Sequence, residues 1–206
     1  MTVPPAGGEA VATSLYAKQQ KIHPRAVSGL FARWRVGMVL ATQLVFYGVP
    51  WLSWNGRQAV LFDLGEQRFF VFGLVLWPQD LVFLAALLVV SALALFFFTA
   101  VAGRLWCGYA CPQTVYTEIF LWIEKRVEGD RSARIRLDEA AISVGKLGKR
   151  WLKHSLWILV ALWTGFTFVG YFAPIRELAG LAVTASLGPW QTFWVFFYGF
   201  ATYGNA

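Results

Sequence analysis

Cys107 and Cys111 are the residues best suited to chemistry, because they are the only two cysteines in the 206-residue chain. They lie in the stretch GRLWCGYACPQT, residues 103–114. On a helix, residues four apart share a face, so the pair could present two thiolates to one bound group. Pro112 follows directly, and a Cys-Pro ending is typical of ferredoxin motifs, where proline starts the next helix. Half of a four-cysteine iron–sulfur site is therefore one hypothesis.

Three other hypotheses for the two cysteines stay open at this point. They could be inert thiols, since cysteine is common in buried apolar structure. They could cycle between dithiol and disulfide, although a stable disulfide is disfavoured on the cytoplasmic side of a membrane. A zinc site would need two further ligands, and His23 and His154 are the only histidines. His154 adjoins Lys153 at an expected membrane boundary, which favours an interfacial role over a ligand role.

The elements that must position the cysteines are predicted to be membrane helices. The chain is 58% hydrophobic and 17% aromatic with only 14% charged residues, a composition typical of membrane proteins. About 20 apolar residues cross the roughly 30 Å hydrocarbon core of a bilayer. The uncharged stretches therefore predict an all-α polytopic membrane protein with four transmembrane helices, at about 36–54, 81–103, 155–173 and 190–206.

The distribution of basic residues predicts the orientation of these helices. Lys and Arg number 15 in residues 1–35 and 104–153 together, against 3 in the rest of the chain. The positive-inside rule then places a tail at 1–32 and a loop at 104–154 in the cytoplasm, with residues 33–206 forming the membrane domain. The net charge of +7 is mostly this topology signal, so no nucleic-acid partner is expected and the lipid bilayer is the expected one.

Two smaller elements are predicted between the spans. The runs RQAVLFDL and RFFVFGLVLW are too short to span as helices and predict a periplasmic β-hairpin. The segment after Pro112 predicts an amphipathic helix on the cytoplasmic membrane surface. Its expected apolar face is Val115, Ile119, Trp122, Ile123 and Val127, and its expected polar residues are Glu118, Glu124, Lys125 and Glu128. A second basic amphipathic segment is expected at about 137–153.

The expected spans lack histidine and charged residues, and three acidic residues lie outside them. These features narrow the function classes. No histidine lies in an expected span, which excludes haem held by two imidazoles of this chain. No charged residue sits in mid-span, which argues against an ion or proton transporter. Asp63, Glu66 and Asp80 are expected to have ordinary loop and capping roles rather than to bind copper.

A weak internal repeat indicates where the other two cysteines of a four-cysteine site would lie. Each half has a span, a link that ends in a tryptophan and proline pair, and a second span. Cys107 lies 29 residues after Pro78, and the same offset from Pro189 leads to position 218. If the repeat holds, a second cysteine motif is expected just beyond residue 206.

Four segments together resemble the cytochrome c oxidase accessory protein family of the CcoG/FixG/RdxA type. They are PWLSWNGRQAVLFDL, WPQD, TAVAGRLWCGYACPQTVYTEIFLWIEKRVEGDR and GYFAPIREL. The resemblance runs from about His23 to the end of the chain and implies a multi-pass protein of the bacterial inner membrane. It also implies a second Cys-x-x-x-Cys-Pro motif after the fourth span and ferredoxin-type cysteine runs beyond it.

The function implied by the resemblance is electron transfer during assembly of cbb-type oxidases. Cys107 and Cys111 would hold half of a 4Fe–4S cluster, shielded by Trp106 and Tyr109, and copper would be a substrate reduced from Cu(II) to Cu(I). Oxidase-assembly or copper-delivery proteins are the implied partners. Two alternatives are a quinone-coupled thiol–disulfide membrane oxidoreductase and, for these 206 residues alone, an assembly scaffold without redox activity.

Overall fold

The structure, a computed structural model, describes residues 29–103, 105–109, 111–141 and 143–205. Most of the predicted N-terminal tail, with His23, lies outside the described residues. The helices are α1 (Leu30–Gly48), α2 (Leu81–Ala102), α3 (Leu105–Tyr109), α4 (Pro112–Glu128), α5 (Arg131–Glu139), α6 (Val144–Val169), α7 (Ile175–Val183) and α8 (Pro189–Tyr203). Five short strands are β1 (Ser53–Trp54), β2 (Arg57–Gln58), β3 (Val60–Asp63), β4 (Arg68–Val71) and β5 (Leu74–Leu76).

The described part of the chain has two helices long and apolar enough to cross a membrane. One runs from Pro78 through α2 to Ala102, and the other is α6. None of the most apolar part of the first helix is buried inside the chain, so its side chains are available to lipid or to another protein. The sequence prediction is thus confirmed as a mostly helical fold with two candidate spans, whereas four spans are not shown.

Helix boundaries differ from the prediction by several residues in α1, α6 and α8, and two of the differences concern single turns or segments. α1 ends at Gly48, ahead of the expected residue 54, and a 3₁₀ turn over Val49–Trp51 follows. Pro50 in that turn has no N–H to donate to a helical hydrogen bond, which accounts for the early end. The expected basic segment at 137–153 is divided, because α5 ends at Glu139 and the remainder joins α6 as one continuous helix.

The centre of the bundle is the packing of α6 on α8. Ala161 and Gly165 of α6 face Val195 and Gly199 of α8, and these small residues let the two backbones approach closely. A Cβ atom built on Gly165 would collide with the Val195 carbonyl oxygen and come within 2.8 Å of the Gly199 backbone nitrogen. No side chain larger than hydrogen therefore fits at residue 165 without moving the helices apart.

The predicted hairpin is present as antiparallel strands. β1 pairs with β2 across Asn55 and Gly56, which both have positive φ, the conformation that an Asn-Gly hairpin turn requires. β3, β4 and β5 form a three-stranded meander, one strand more than a hairpin. The second link has no such sheet, since α7 takes its place, so the two links differ in secondary structure.

Gln58 of β2 fastens this β region to the turn that follows α6. Its amide Nε2 donates to the Gly170 carbonyl at 2.7 Å and to the Val60 carbonyl at 2.8 Å. Its Oε1 accepts the N–H of Ile175, the first residue of α7, at 2.9 Å. One side chain thus joins three backbone groups of two segments that are far apart in the sequence.

Gln58→Leu is expected to loosen this connection. A net hydrogen bond contributes about 1 kcal/mol and a backbone group left unpaired costs more, so a loss of about 2 kcal/mol is expected. Amide hydrogen exchange at Ile175 should then become roughly 30-fold faster. Gln79→Leu, at an exposed position, is the matched control and should not change that rate. Unchanged exchange in Gln58→Leu would contradict the role given to this side chain.

Candidate functional site

The two cysteines lie on different elements. Cys107 is exposed within the short helix α3, whereas Cys111 is half-buried and precedes α4 in an extended conformation, with φ −63° and ψ 128°. The prediction that both share the face of one helix is therefore wrong. Pro112 is the physical reason, because it disfavours helical backbone at residue 111 and itself opens α4.

Two hydrogen bonds hold the segment between the cysteines. The Cys111 N–H donates to the Trp106 carbonyl at 3.1 Å, which closes the loop after α3. The Thr114 hydroxyl, in the first turn of α4, donates to the Cys107 carbonyl at 2.6 Å. Both main-chain segments that carry a thiol are thereby fixed to the start of α4.

The surroundings of the pair are open enough for a bulky inorganic group. A Cβ built on Gly108 meets nothing within 4 Å, and the Trp106 side chain is 46% exposed rather than packed as a shield. Tyr109 lies near α1, with the Arg35 guanidinium 6.0 Å from its ring centre. The N-terminus of the 17-residue helix α4 adds partial positive charge beside Cys111, which suits an anionic cluster.

The donor set fits half of a 4Fe–4S site and no more. Such a cluster needs four thiolates, and this chain has two cysteines. Among the described residues, no group of three or more His, Cys, Asp and Glu side chains is placed to hold a metal ion. His154 Nδ1 lies 3.0 Å from the Tyr203 hydroxyl. It thus makes a contact within the bundle and does not extend the cysteine pair to a larger set.

The helix α4, which follows Cys111, has a different buried face from the predicted one. Val115 and Ile123 are buried as expected, but Trp122 is 59% exposed. Glu124 and Glu128, expected to face water, are buried instead. The hydrophobic periodicity predicts an amphipathic helix, but it does not reveal that the partner surface supplies positive charge.

A buried ion-pair cluster explains why the two glutamates point inward. Lys153 Nζ of α6 lies 2.7 Å from Glu128 Oε1 and 3.5 Å from Glu124 Oε1. Arg134 of α5 donates to Glu124 Oε2 at 2.8 Å. The spacing of two glutamates four residues apart was the sequence signal, but its partner Lys153 is 25 or more residues away along the chain.

Aromatic contacts complete the attachment of α4 to the bundle. The Trp157 indole Nε1–H donates to the Phe120 carbonyl at 3.3 Å, and the centres of the two rings are 5.6 Å apart. At the outer side of α4, Glu118 pairs with Arg35 of α1 at 3.0 Å. The start of α4, and with it Cys111, is thus held by α1 on one side and α6 on the other.

Asp80 and Asp63, two acidic residues outside this region, accept hydrogen bonds from nearby backbone groups. Asp80 Oδ2 accepts the Trp77 N–H at 3.0 Å, ahead of α2. Asp63 Oδ1 accepts the N–H groups of Gly65 and Glu66 in the turn between β3 and β4. These contacts are the ordinary loop roles expected from the sequence.

Comparisons with known proteins show which sequences this chain resembles. RdxA of Cereibacter sphaeroides is 46% identical over 191 residues, which is 88% of this chain and 40% of RdxA. The nitrogen fixation protein FixG of Rhizobium meliloti is 41% identical over 180 residues, covering 85% of this chain and 34% of FixG. This chain matches the FixG/RdxA type family. The resemblance noted from the sequence is therefore confirmed.

A third relative and the coverage of all three show how much of their length this chain spans. RdxB of Cereibacter sphaeroides is 43% identical over 185 residues, or 86% of this chain and 38% of RdxB. The chain thus spans between about a third and two fifths of the length of these relatives. Residues 84–128 match a family described as a 4Fe-4S binding domain, and both cysteines fall inside that match. No solved structure matches the chain.

Proposed function

We propose that this chain is the membrane part of an iron–sulfur electron-transfer protein, with Cys107 and Cys111 as two of the four ligands of a 4Fe–4S cluster. The observation that carries the proposal is the position of both cysteines inside the matched 4Fe-4S binding segment, beside open space. The cluster would supply one-electron redox chemistry when bound. The residues of this chain fix two ligands through Thr114 and the loop after α3.

The full-length protein is proposed to act in the assembly of a cbb-type cytochrome c oxidase. Its substrate would be copper, with each Cu(II) taking one electron to become Cu(I). Support comes from the family resemblance and from the relatives that carry the same segment. Oxidase-assembly or copper-delivery proteins are the proposed partners.

The proposed topology has four spans, formed by α1, α2, α6 and α8, in the bacterial inner membrane with the N-terminus in the cytoplasm. α2 and α6 support it by length and composition. α1 has 19 residues and α8 has 15. At 1.5 Å per residue α8 rises about 22 Å, which is less than the roughly 30 Å hydrocarbon core. The concentration of Lys and Arg before α1 and in the region from α3 to the start of α6 supports the orientation.

Iron and acid-labile sulfide, counted per chain after anaerobic purification, test the proposed cluster. The chain is compared with a version extended through the second cysteine motif that the resemblance implies. We expect iron and sulfide only in the extended version, and we expect Cys107→Ser with Cys111→Ser to remove both. Thr117→Ser is the matched control that should keep them. Iron that survives the double cysteine change would overturn the site assignment.

Thr114→Val in the extended protein is expected to weaken the hold on Cys107. The change removes the hydroxyl that donates to the Cys107 carbonyl while keeping the shape of the side chain. Loss of about 1 kcal/mol from one hydrogen bond should make iron loss to a chelator roughly fivefold faster. Thr117→Val removes a similar bond to Gln113, within α4, and should leave the rate unchanged. Equal rates in the two variants would show that Thr114 does not position the ligand segment.

A further inference from the structure

A cavity of about 310 Å³ lies between α1, α4, α6 and α8. This volume falls at the lower end of the range of roughly 300–1,000 Å³ that small-molecule sites occupy. Phe46 and Phe168 form apolar walls, and Pro112, which directly follows Cys111, forms another part of the wall. The cavity therefore borders the main chain of the candidate cluster site without containing either cysteine.

One polar atom in this cavity lacks a partner. The Gln43 Oε1 atom is buried and accepts no hydrogen bond. The Thr164 hydroxyl does not supply one, because it donates its proton to the Val160 carbonyl at 2.8 Å. The Tyr47 hydroxyl therefore donates to Thr164 at 2.8 Å and is also committed. A ligand with a hydrogen-bond donor would satisfy the Gln43 oxygen.

A second polar group gives the cavity a complementary function. The phenol of Tyr116, on α4, lines the same space. Burial raises the pKa of Tyr116 above its ordinary value, so the hydroxyl stays protonated at neutral pH. The cavity thus combines an unpaired amide oxygen with a neutral phenol between aromatic walls.

These features select among the molecules that a membrane offers. The described residues that line the cavity carry no charge, so they do not match the phosphate of a lipid headgroup. A hydrocarbon tail would leave the Gln43 oxygen unpaired, which is costly in a buried site. A reduced quinone has a flat ring that fits between aromatic side chains and two hydroxyls, each able to donate and to accept.

We propose that this cavity binds the ring of a membrane quinol, with one quinol hydroxyl donating to Gln43 Oε1. The proposal concerns binding; it rests on the proposed membrane topology and stands independently of the cluster. Its ring site borders Pro112, so a bound quinol lies next to the segment that carries Cys111.

Direct binding of a quinol to the chain in lipid nanodiscs tests the proposal. The probe is isotopically labelled decylubiquinol, kept reduced under argon, and its binding is measured by equilibrium dialysis. We expect saturable binding at one site per chain. Gln43→Leu should weaken binding about tenfold, the effect of losing one hydrogen bond in a buried site. Gln79→Leu, at an exposed position ahead of α2, is the matched control and should bind as tightly as the wild type.

A competition experiment on the unchanged chain keeps the test independent of variant folding. Decylcyclohexane has a similar tail and ring size but no oxygen, so we expect it to compete at least tenfold less well than unlabelled decylubiquinol. Equal competition would identify a hydrocarbon site and overturn the proposal. Absence of saturable binding, or equal affinity in Gln43→Leu and the wild type, would overturn it too. Because iron is not measured, failure here is distinct from failure of the proposed cluster.

Discussion

Lys153→Met is expected to lower the free energy of unfolding by about 3–5 kcal/mol, the cost of leaving one member of a buried ion pair without its partner. Lys153 is 6% exposed and Glu128 is 4% exposed, so water cannot replace the lost contact. Glu128 has its described ion pair with Lys153 alone, at 2.7 Å, whereas Glu124 retains Arg134. The variant therefore leaves a carboxylate in an apolar setting. Unfolding by SDS in mixed micelles, followed by tryptophan fluorescence, measures the change.

Two control variants separate this effect from a general loss of positive charge. Arg150→Met removes a partly exposed partner of Asp138 and should cost less than about 1 kcal/mol, as surface pairs do. The double variant Glu128→Leu with Lys153→Met removes both partners and should recover a large part of the lost stability. A Lys153→Met chain as stable as Arg150→Met would show that the buried cluster does not hold α4 in place.

The buried cluster bears on the cysteine site through the rigidity of α4. Glu124 and Glu128 lie in the C-terminal half of α4, and Cys111 precedes its first residue. A helix transmits position along its length, so fixing its far end on α5 and α6 limits the movement of its beginning. In the proposed cluster, two thiolates of this segment would meet ligands from another segment, and a fixed frame would favour that, because misplaced ligands lose binding energy. The charges are thus stabilising elements that also position the candidate ligands.

The sequence predicted the helices better than it predicted their faces. α2 matches the expected span within one residue, because an uninterrupted apolar run carries its own signal. The faces of α4 depend on which neighbours pack against it, and Lys153 and Trp157 are remote in the sequence. Hydrophobic periodicity assigns glutamate to water, which is correct only where no buried cation is available to pair with it.

The candidate site shows the same division between local and long-range information. Residue types and the Cys-Pro ending single out Cys107 and Cys111 as candidates, and both fall within residues 84–128, which match a 4Fe-4S binding domain family. Their placement on two separate elements follows from Pro112, a local signal that outweighs the helical spacing of the thiols. The cavity lined by Gln43 and Tyr116 had no sequence signal, because four helices contribute to it.

Gly165→Ala is expected to lower the free energy of unfolding by about 3 kcal/mol, although alanine is the better helix former. The added Cβ would overlap the Val195 carbonyl oxygen and lie 2.8 Å from the Gly199 nitrogen, and neither backbone atom can rotate away as a side chain can. The helices α6 and α8 must then separate, which also opens the cavity between them. Gly148→Ala, in the same helix with nothing within 4 Å of the new Cβ, should instead gain up to about 1 kcal/mol. The two variants differ only in what the methyl group meets, so SDS unfolding of both isolates the close approach of the helices from helix propensity. Equal stability of the two would mean that α6 and α8 do not approach each other closely at Gly165.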